Sequence, residues 1–228
     1  MEKFSETRNF INGNFIESIS RKTIAVTNPA DQAIVDNIDH ALDEEIDLAF
    51  NSASNAFNSR LLLDMESSVK SKMMRSIASK LFQYKKIGGR ILSQENGKTI
   101  EQCEVEFEGA AAVFEYYSGL TDKIENKLIP SGKDMFNYVV LEPFGVSLQI
   151  VPWNYPILLF SRSIAVSMVV GNTVVIKPPE LCPISSNIFA KIFPNIFDEI
   201  GHNSGGLITT VFPTSMLTAI DLEKRRIG

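Results

Sequence analysis

Two short polar stretches contain the side chains best suited to chemistry. Trp153 and Asn154 leave the end of one predicted strand, and the asparagine lies between two prolines. An amide held so rigidly can donate an N–H to a developing oxyanion. Lys177 and Glu180 leave the next predicted strand, and a cationic donor beside an anionic acceptor suits ribose hydroxyls or a phosphate. From the pattern alone, the first stretch could equally be a stiff turn and the second an exposed loop with an ordinary surface ion pair.

A predicted strand–helix–strand unit positions these stretches. It consists of a strand over 146–150, a helix over 157–169, the turn Gly171-Asn172 and a strand over 173–177. A crossover of this length makes the two strands parallel. Open parallel sheets bind ligands beyond the carboxyl ends of their strands. The sequence therefore predicts an α/β fold in which both polar stretches lie at one edge of the sheet.

Further elements are predicted around this unit. Short strands in hairpins are expected over 8–36, and two strands over 125–144 surround the turn Ser131-Gly132-Lys133-Asp134. Helices are expected from about Asp43, as the N-cap, and over about 67–87. A third helix has an apolar stripe of Cys103, Phe107, Ala110, Phe114 and Tyr117, with Glu101, Glu104, Glu106, Glu108 and Glu115 as polar surface. A late strand is expected over 207–212, and the glycine-rich stretch 201–206 is interpreted as a loop.

Composition excludes several classes of protein. The 228 residues carry a net charge of −5, are 44% hydrophobic and contain no basic tract, which predicts a folded acidic protein without nucleic-acid or membrane partners. Two cysteines and two histidines are too few for a disulfide scaffold or a typical zinc site, so no metal is expected. No secretory h-region follows Met1, and the expected location is cytoplasmic.

One apolar window is long enough to be considered as a membrane span. Residues 157–176 are mostly apolar, and a bilayer crossing needs about 20 residues. Arg162 lies inside the window, and Gly171-Asn172 followed by β-branched residues is typical of a turn into a strand. The window is therefore predicted to contain a helix, a turn and a buried strand.

The motifs resemble those of the NAD(P)-dependent aldehyde dehydrogenase family. The resemblance rests on Glu142-Pro143-Phe144-Gly145-Val146, Pro152-Trp153-Asn154-Tyr155-Pro156 and Gly171-Asn172-Thr173-Val174-Val175-Ile176-Lys177-Pro178-Pro179-Glu180. Weaker agreement includes Phe10-Ile11-Asn12-Gly13, Asn28-Pro29-Ala30 and Glu95-Asn96-Gly97-Lys98. The resemblance implies a Rossmann-like parallel sheet with flanking helices and a protruding oligomerisation hairpin at 125–144. Residues 1–124 and 145–228 would form a cofactor-binding domain, incomplete at its C-terminal end, and the catalytic domain would be absent.

The resemblance also assigns roles to single residues. Asn154 matches the amide of the family's oxyanion hole. Ile150, Val151, Pro152 and Trp153 resemble the wall beside the nicotinamide ribose. Lys177 and Glu180 match the residues that hold the adenosine ribose. Tyr155 and Pro179 depart from the usual Phe and Ser, and the second departure leaves NAD and NADP both open.

The reaction implied by the resemblance needs a nucleophile that this sequence does not provide. The family oxidises an aldehyde to a carboxylic acid through a cysteine thiohemiacetal. Neither Cys103 nor Cys182 lies in a matching context, and both are expected to be packing residues. The 228 residues alone are therefore expected to be an inactive homo-oligomer. The alternative is a truncated, non-catalytic module that binds a dinucleotide or serves in assembly.

Overall fold

The structure is a computed structural model that describes residues 7–200 and 206–210, with the side chain of residue 210 excepted. Its strands are β1 Asn9–Ile11, β2 Asn14–Ile16, β3 Thr23–Thr27, β4 Ile34–Asp39, β5 Lys127–Ile129, β6 Asn137–Val139, β7 Val146–Ile150, β8 Thr173–Lys177 and β9 Ile208–Thr210. Its helices are α1 Asp43–Asn58, α2 Leu61–Asp64, α3 Ser67–Asn96, α4 Ile100–Ser118, α5 Pro156–Val170 and α6 Asn187–Glu199. The predicted strand over 207–212 is present as β9, and residues 211 and 212 lie outside the described residues.

The central sheet has the strand order β2-β1-β9-β8-β7. β7, β8 and β9 are parallel, which confirms the predicted Rossmann-like α/β core. β1 runs antiparallel to both β2 and β9, so the N-terminal hairpin extends this sheet on one side and makes it mixed.

The β7–α5–β8 unit forms as predicted, with bounds that agree to within one residue. All five residues of β8 are buried, as expected for a β-branched strand inside a sheet. α5 ends at Gly171, which adopts φ 95°, and the Oδ1 atom of Asn172 accepts a hydrogen bond from Gly145 N at 2.9 Å. In residues 7–200 and 206–210, no helix is long and apolar enough to cross a membrane.

Helices α3 to α6 form the larger hydrophobic core against the sheet. α3 is longer than predicted, because Gly88 and Gly89 lie inside the helix instead of ending it. A Cβ atom at Gly88 would collide with the Phe107 ring on α4 and with Ile188 on α6. The glycine pair therefore allows neighbouring helices to approach α3 closely, and this packing outweighs its low helix propensity.

The prediction that Asp43 is the N-cap of α1 is wrong by one residue. The helix begins at Asp43, and its N-cap is Leu42. Leucine has no side-chain acceptor, and the buried carboxylate of Glu45 accepts instead from Leu42 N at 2.6 Å and from Ile19 N at 2.9 Å.

β5 and β6 form a separate antiparallel two-stranded sheet, as the turn at 131–134 predicts. Every residue of both strands is exposed. Apolar side chains dominate this surface, which includes Leu128, Met135, Phe136, Tyr138 and Leu141. The separation of 125–144 as its own oligomerisation unit stays a prediction.

Candidate functional site

The parallel register of β7 and β8 brings the two predicted polar stretches together. Ile150 lies opposite Lys177, the last residue of each strand, and Val151 N donates to Lys177 O at 3.1 Å. The chain segments that leave the two strands therefore start side by side. This places residues 150–154 next to residues 177–180, at the sheet edge where the sequence predicts a ligand.

Lys177 and Glu180 form an ion pair that is buried at one end only. Lys177 Nζ lies 2.5 Å from Glu180 Oε1 and donates to Pro178 O at 3.2 Å. The lysine side chain is 3% exposed, whereas the glutamate side chain is 42% exposed. The interpretation as an ordinary surface pair is therefore wrong for the lysine. A buried ammonium group directs a partly exposed carboxylate toward solvent, where a hydroxyl-bearing ligand could reach it.

Asn154 lies in an exposed run from Pro152 to Tyr155. Its backbone carbonyl accepts a hydrogen bond from Lys98 Nζ at 2.9 Å. Its side-chain amide bonds to no residue within 7–200 or 206–210. The backbone is thus held while the amide remains available to donate outward, which is the arrangement an oxyanion donor needs.

The end of α3 reaches both strand-end loops, a feature for which the sequence predicted no role. Asn96 Nδ2 donates to Trp153 O at 2.7 Å, and Gly97 ends the helix with φ 85°. A Cβ atom at Gly97 would also lie 2.7 Å from Pro29 Cγ, so the turn requires glycine. The sequence feature that could have identified this turn is the tetrapeptide Glu95-Asn96-Gly97-Lys98, which resembles the family. The residue types alone predict no role for it.

The expectation that Glu106 belongs to the polar surface of α4 is wrong. Its side chain is fully buried, and Oε1 accepts from Ile157 N at 2.8 Å and from Leu158 N at 3.2 Å. These amides belong to the first turn of α5, whose N–H groups have no partner inside the helix. Glu106 Oε2 also accepts from Lys98 Nζ at 2.5 Å. One carboxylate therefore satisfies the start of the helix that follows Asn154.

Glu95 is a second buried carboxylate with a structural partner. Its two oxygens accept from Ile184 N at 2.6 Å and from Ser185 N at 2.9 Å. Burial raises the pKa of Glu95 to about 7, against the opposing effect of these hydrogen bonds. The carboxylate holds the short turn that follows the Lys177–Glu180 loop.

Both cysteines are packing residues, as predicted. Cys103 and Cys182 are buried free thiols, and burial raises their pKa values to about 11 and about 12. A nucleophilic cysteine needs a thiolate, which such pKa values disfavour. In residues 7–200 and 206–210, no group of three or more His, Cys, Asp or Glu side chains is arranged to hold a metal ion.

A cavity of about 280 Å³ lies beside the two loops. Its lining includes Trp153 and Glu180 from the loops, Glu95 and Asn96 from α3, and Val26 from β3. Its volume is small for a drug-sized ligand, for which sites typically measure ~300–1,000 Å³. A larger ligand at this edge would therefore extend over the open surface of the strand ends.

Comparison with known proteins gives one consistent result. The sequence model of the aldehyde dehydrogenase family matches residues 15–206. An aldehyde dehydrogenase from Alternaria alternata is 33% identical over 184 residues, which cover 80% of the chain and 37% of that protein.

Solved structures agree with the sequence comparison. A mutant aldehyde dehydrogenase from Bacillus cereus is similar with a TM-score of 0.86 at 30% identity, over 96% of this chain and 43% of that one. A mutant betaine aldehyde dehydrogenase from Staphylococcus aureus, in complex with NAD⁺, is similar with a TM-score of 0.83 at 30% identity, over 91% of this chain and 42% of that one. The chain spans less than half the length of these relatives.

Proposed function

The chain belongs to the aldehyde dehydrogenase family, and from this premise we propose that it binds NAD or NADP at the carboxyl ends of β7 and β8 and contributes Asn154 to aldehyde oxidation. The observation that carries the proposal is the register that sets Ile150 beside Lys177. It brings the predicted ribose ligands and the predicted oxyanion donor to one edge of a parallel sheet, the usual place for a nucleotide in such folds.

The residues at this edge fit the polar parts of a dinucleotide. Lys177 and Glu180 would hold the adenosine ribose, since a carboxylate accepts from hydroxyls and a lysine supports it with charge. Residues 150–153 would form the wall beside the nicotinamide ribose. When bound, the cofactor supplies the hydride acceptor for the oxidation. Pro179 leaves the choice between the 2′-hydroxyl of NAD and the 2′-phosphate of NADP open.

Asn154 is proposed to stabilise the negative charge that develops on the carbonyl oxygen of the aldehyde when a thiolate adds to the carbonyl carbon. The exposed amide has no competing partner within 7–200 or 206–210, so donating to the substrate would break no internal hydrogen bond. A preorganised donor of this kind typically contributes ~10²–10³-fold to the rate of acyl-transfer chemistry.

Oxidation through a thiohemiacetal needs a reactive thiol, and the two cysteines of this sequence do not supply one. Both are buried and hard to ionise. We therefore propose that the 228 residues by themselves do not turn over an aldehyde. Aldehyde-dependent NADH formation that Cys103→Ser or Cys182→Ser abolishes would overturn this part of the proposal.

The second candidate function is a non-catalytic dinucleotide-binding or assembly module. The exposed apolar surface of the 125–144 hairpin favours it, because exposed strands with apolar side chains readily pair with other chains. Self-association through this hairpin is part of both candidates. We also propose a cytoplasmic location.

Titration of the chain with NAD⁺ and with NADP⁺ tests the binding proposal. Trp153 is the only tryptophan, so its fluorescence reports on the site itself, and calorimetry provides an independent affinity. We expect Lys177→Ala and Glu180→Gln each to weaken binding at least about 10-fold, because each removes a charged hydrogen-bonding group. Lys72→Ala changes an exposed lysine on α3 and should leave affinity unchanged.

The two site variants differ in how much each substitution can disturb folding. Lys177 is buried, so its variant requires a check of folding by circular dichroism, whereas Glu180 is partly exposed and its substitution perturbs the fold less. Unchanged affinity in both variants would refute the ribose assignment. Absence of dinucleotide binding in the wild-type chain would favour an assembly module.

A further inference from the structure

We propose that Asn96 and Lys98 are positioning residues that hold the Asn154 loop, residues 151–155, beside the segment that follows the Lys177–Glu180 loop. They belong to the 95–98 turn, which consists of Glu95, Asn96, Gly97 and Lys98. The turn joins α3 to α4, and it contacts the segments that follow both β7 and β8. Its role in aldehyde oxidation rests on the proposed function, but the contacts themselves do not.

The first side of the turn contacts three successive residues of the Asn154 loop. Asn96 Nδ2 donates to Trp153 O at 2.7 Å, and Lys98 Nζ donates to Asn154 O at 2.9 Å. Lys98 Nζ also lies 4.3 Å from the centroid of the Tyr155 ring, within the range of a cation–π contact. The backbone on both sides of the Asn154 Cα atom is therefore hydrogen-bonded to the turn.

The second side of the turn contacts the segment that follows Glu180. Asn96 Nδ2 lies 3.5 Å from Cys182 Sγ, and that thiol donates to Trp153 O at 3.5 Å. Glu95 accepts from the amides of Ile184 and Ser185. Asn96 thus contacts both strand-end segments, which lie almost 30 positions apart in sequence, while Lys98 contacts the first and Glu95 the second.

Lys98 is itself anchored by a buried charge. Glu106 Oε2 lies 2.5 Å from Lys98 Nζ, and the glutamate side chain is fully buried while the lysine side chain is 18% exposed. Glu106 Oε1 accepts from Ile157 N and Leu158 N, so the same carboxylate fixes the start of α5. The loop between β7 and α5 is consequently held at its centre by Lys98 and at its end by Glu106.

This arrangement explains how an exposed asparagine can act as a preorganised donor. An amide on a freely moving loop would lose conformational entropy each time it met an oxyanion, whereas a fixed backbone avoids most of that cost. The turn also links the Asn154 loop to the segment that directly follows the Lys177–Glu180 loop. A dinucleotide and a substrate held by the two loops would therefore meet in one relative position.

Hydrogen exchange of the intact 228-residue chain tests the proposal without any activity measurement. Asn96→Ala removes the two contacts of the Asn96 amide, to Trp153 O and to Cys182 Sγ, and Lys98→Met removes the charge while keeping the length of the side chain. We expect amide exchange in 151–159 to accelerate about 10-fold or more in both variants. Lys98→Arg keeps a cationic donor and should restore most of the protection. Lys86→Met, at an exposed lysine on α3, is the matched control.

A spectroscopic signature separates positioning from a general loss of stability. The side-chain NH₂ resonances of Asn154, identified by their loss in Asn154→Asp, should shift in Lys98→Met and stay in place in Lys86→Met. If Asn96→Ala and Lys98→Met leave these resonances and the exchange of 151–159 as in the wild type, the proposal is wrong. Equal acceleration across all elements, including α6, would also refute it, because the turn would then serve overall stability.

These results remain separate from the test of the proposed function. A chain that binds neither NAD⁺ nor NADP⁺ but shows the expected local exchange would refute the cofactor assignment and keep the positioning role. If the chain with both substitutions binds a dinucleotide with wild-type affinity and shows no local change in exchange, the cofactor assignment is kept and the positioning role is refuted.

Discussion

Removal of the buried carboxylate of Glu95 should change how the stability of the chain depends on pH. Glu95 is 2% exposed, and burial together with the nearby Glu106 raises its pKa from the ordinary 4.5 to about 7. Between these values the folded chain binds more protons than the unfolded chain. The free energy of unfolding therefore falls as pH rises from about 4.5 through about 7 and levels off above this range.

The magnitude follows from the same two values. The difference between 4.5 and about 7 corresponds to about 3 kcal/mol of unfolding free energy. Glu95→Gln does not titrate and should lose this dependence. Its amide oxygen can accept from only one of Ile184 N and Ser185 N, and the unpaired amide should lower the free energy of unfolding of the variant by about 1–3 kcal/mol.

Urea unfolding followed by circular dichroism at several pH values from 5 to 8 measures both effects. Between pH 5 and pH 8, the free energy of unfolding of the wild type should fall relative to that of Glu95→Gln by most of the expected difference of about 3 kcal/mol. Glu101→Gln, an exposed carboxylate in the first turn of α4, is the control and should parallel the wild type. Parallel curves for wild type and Glu95→Gln would refute the reasoning, since burial would then leave the Glu95 carboxylate unperturbed.

Other features of the structure lead to further predictions. Gly88→Ala should lower the free energy of unfolding by about 1–3 kcal/mol, because the new Cβ atom meets packed side chains. Gly109→Ala has room for a Cβ atom and should raise the free energy of unfolding by about 0.5–1 kcal/mol. Urea titration measures both values, and equal effects of the two substitutions would contradict this packing. Cys103 and Cys182 should resist a thiol reagent at pH 8 in the folded chain and react on denaturation, and fast native labelling of either would contradict their burial. Phe136→Ser, at a side chain 76% exposed on the hairpin, should shift the chain toward monomer in sedimentation velocity at micromolar concentration, and a wild-type chain that is already monomeric would refute self-association.

The parts of the fold that could be predicted depend on short stretches of chain. β7, α5 and β8 have the predicted bounds to within one residue, because a β-branched run, a glycine at the helix end and an apolar periodicity each act over a few positions. The edge position of Lys177 also follows, since the crossover length makes the strands parallel. α3 extended past its predicted end because the contact that Gly88 makes possible involves α4 and α6.

The prediction failed where one residue serves distant parts of the chain. Glu106 was expected on the surface because its neighbours Glu104 and Glu108 look the same in sequence, yet it bonds to amides about 50 positions later. No local pattern marks the one glutamate of a helix that meets the start of another helix. The 95–98 turn was missed for the same reason, because Asn96 contacts Trp153, 57 positions away.

The sequence by itself determined the α/β core, the place of the polar stretches at strand ends and the kinship with aldehyde dehydrogenases. Tertiary structure alone decided which polar groups are buried and what they hold. Helix and strand formation depend on neighbouring residues, whereas the satisfaction of a buried carboxylate depends on which backbone amides folding brings within hydrogen-bonding distance. For this chain, that difference separates Asn154, whose proposed role rests on its motif, from Lys98 and Glu106, whose contacts only the tertiary structure shows.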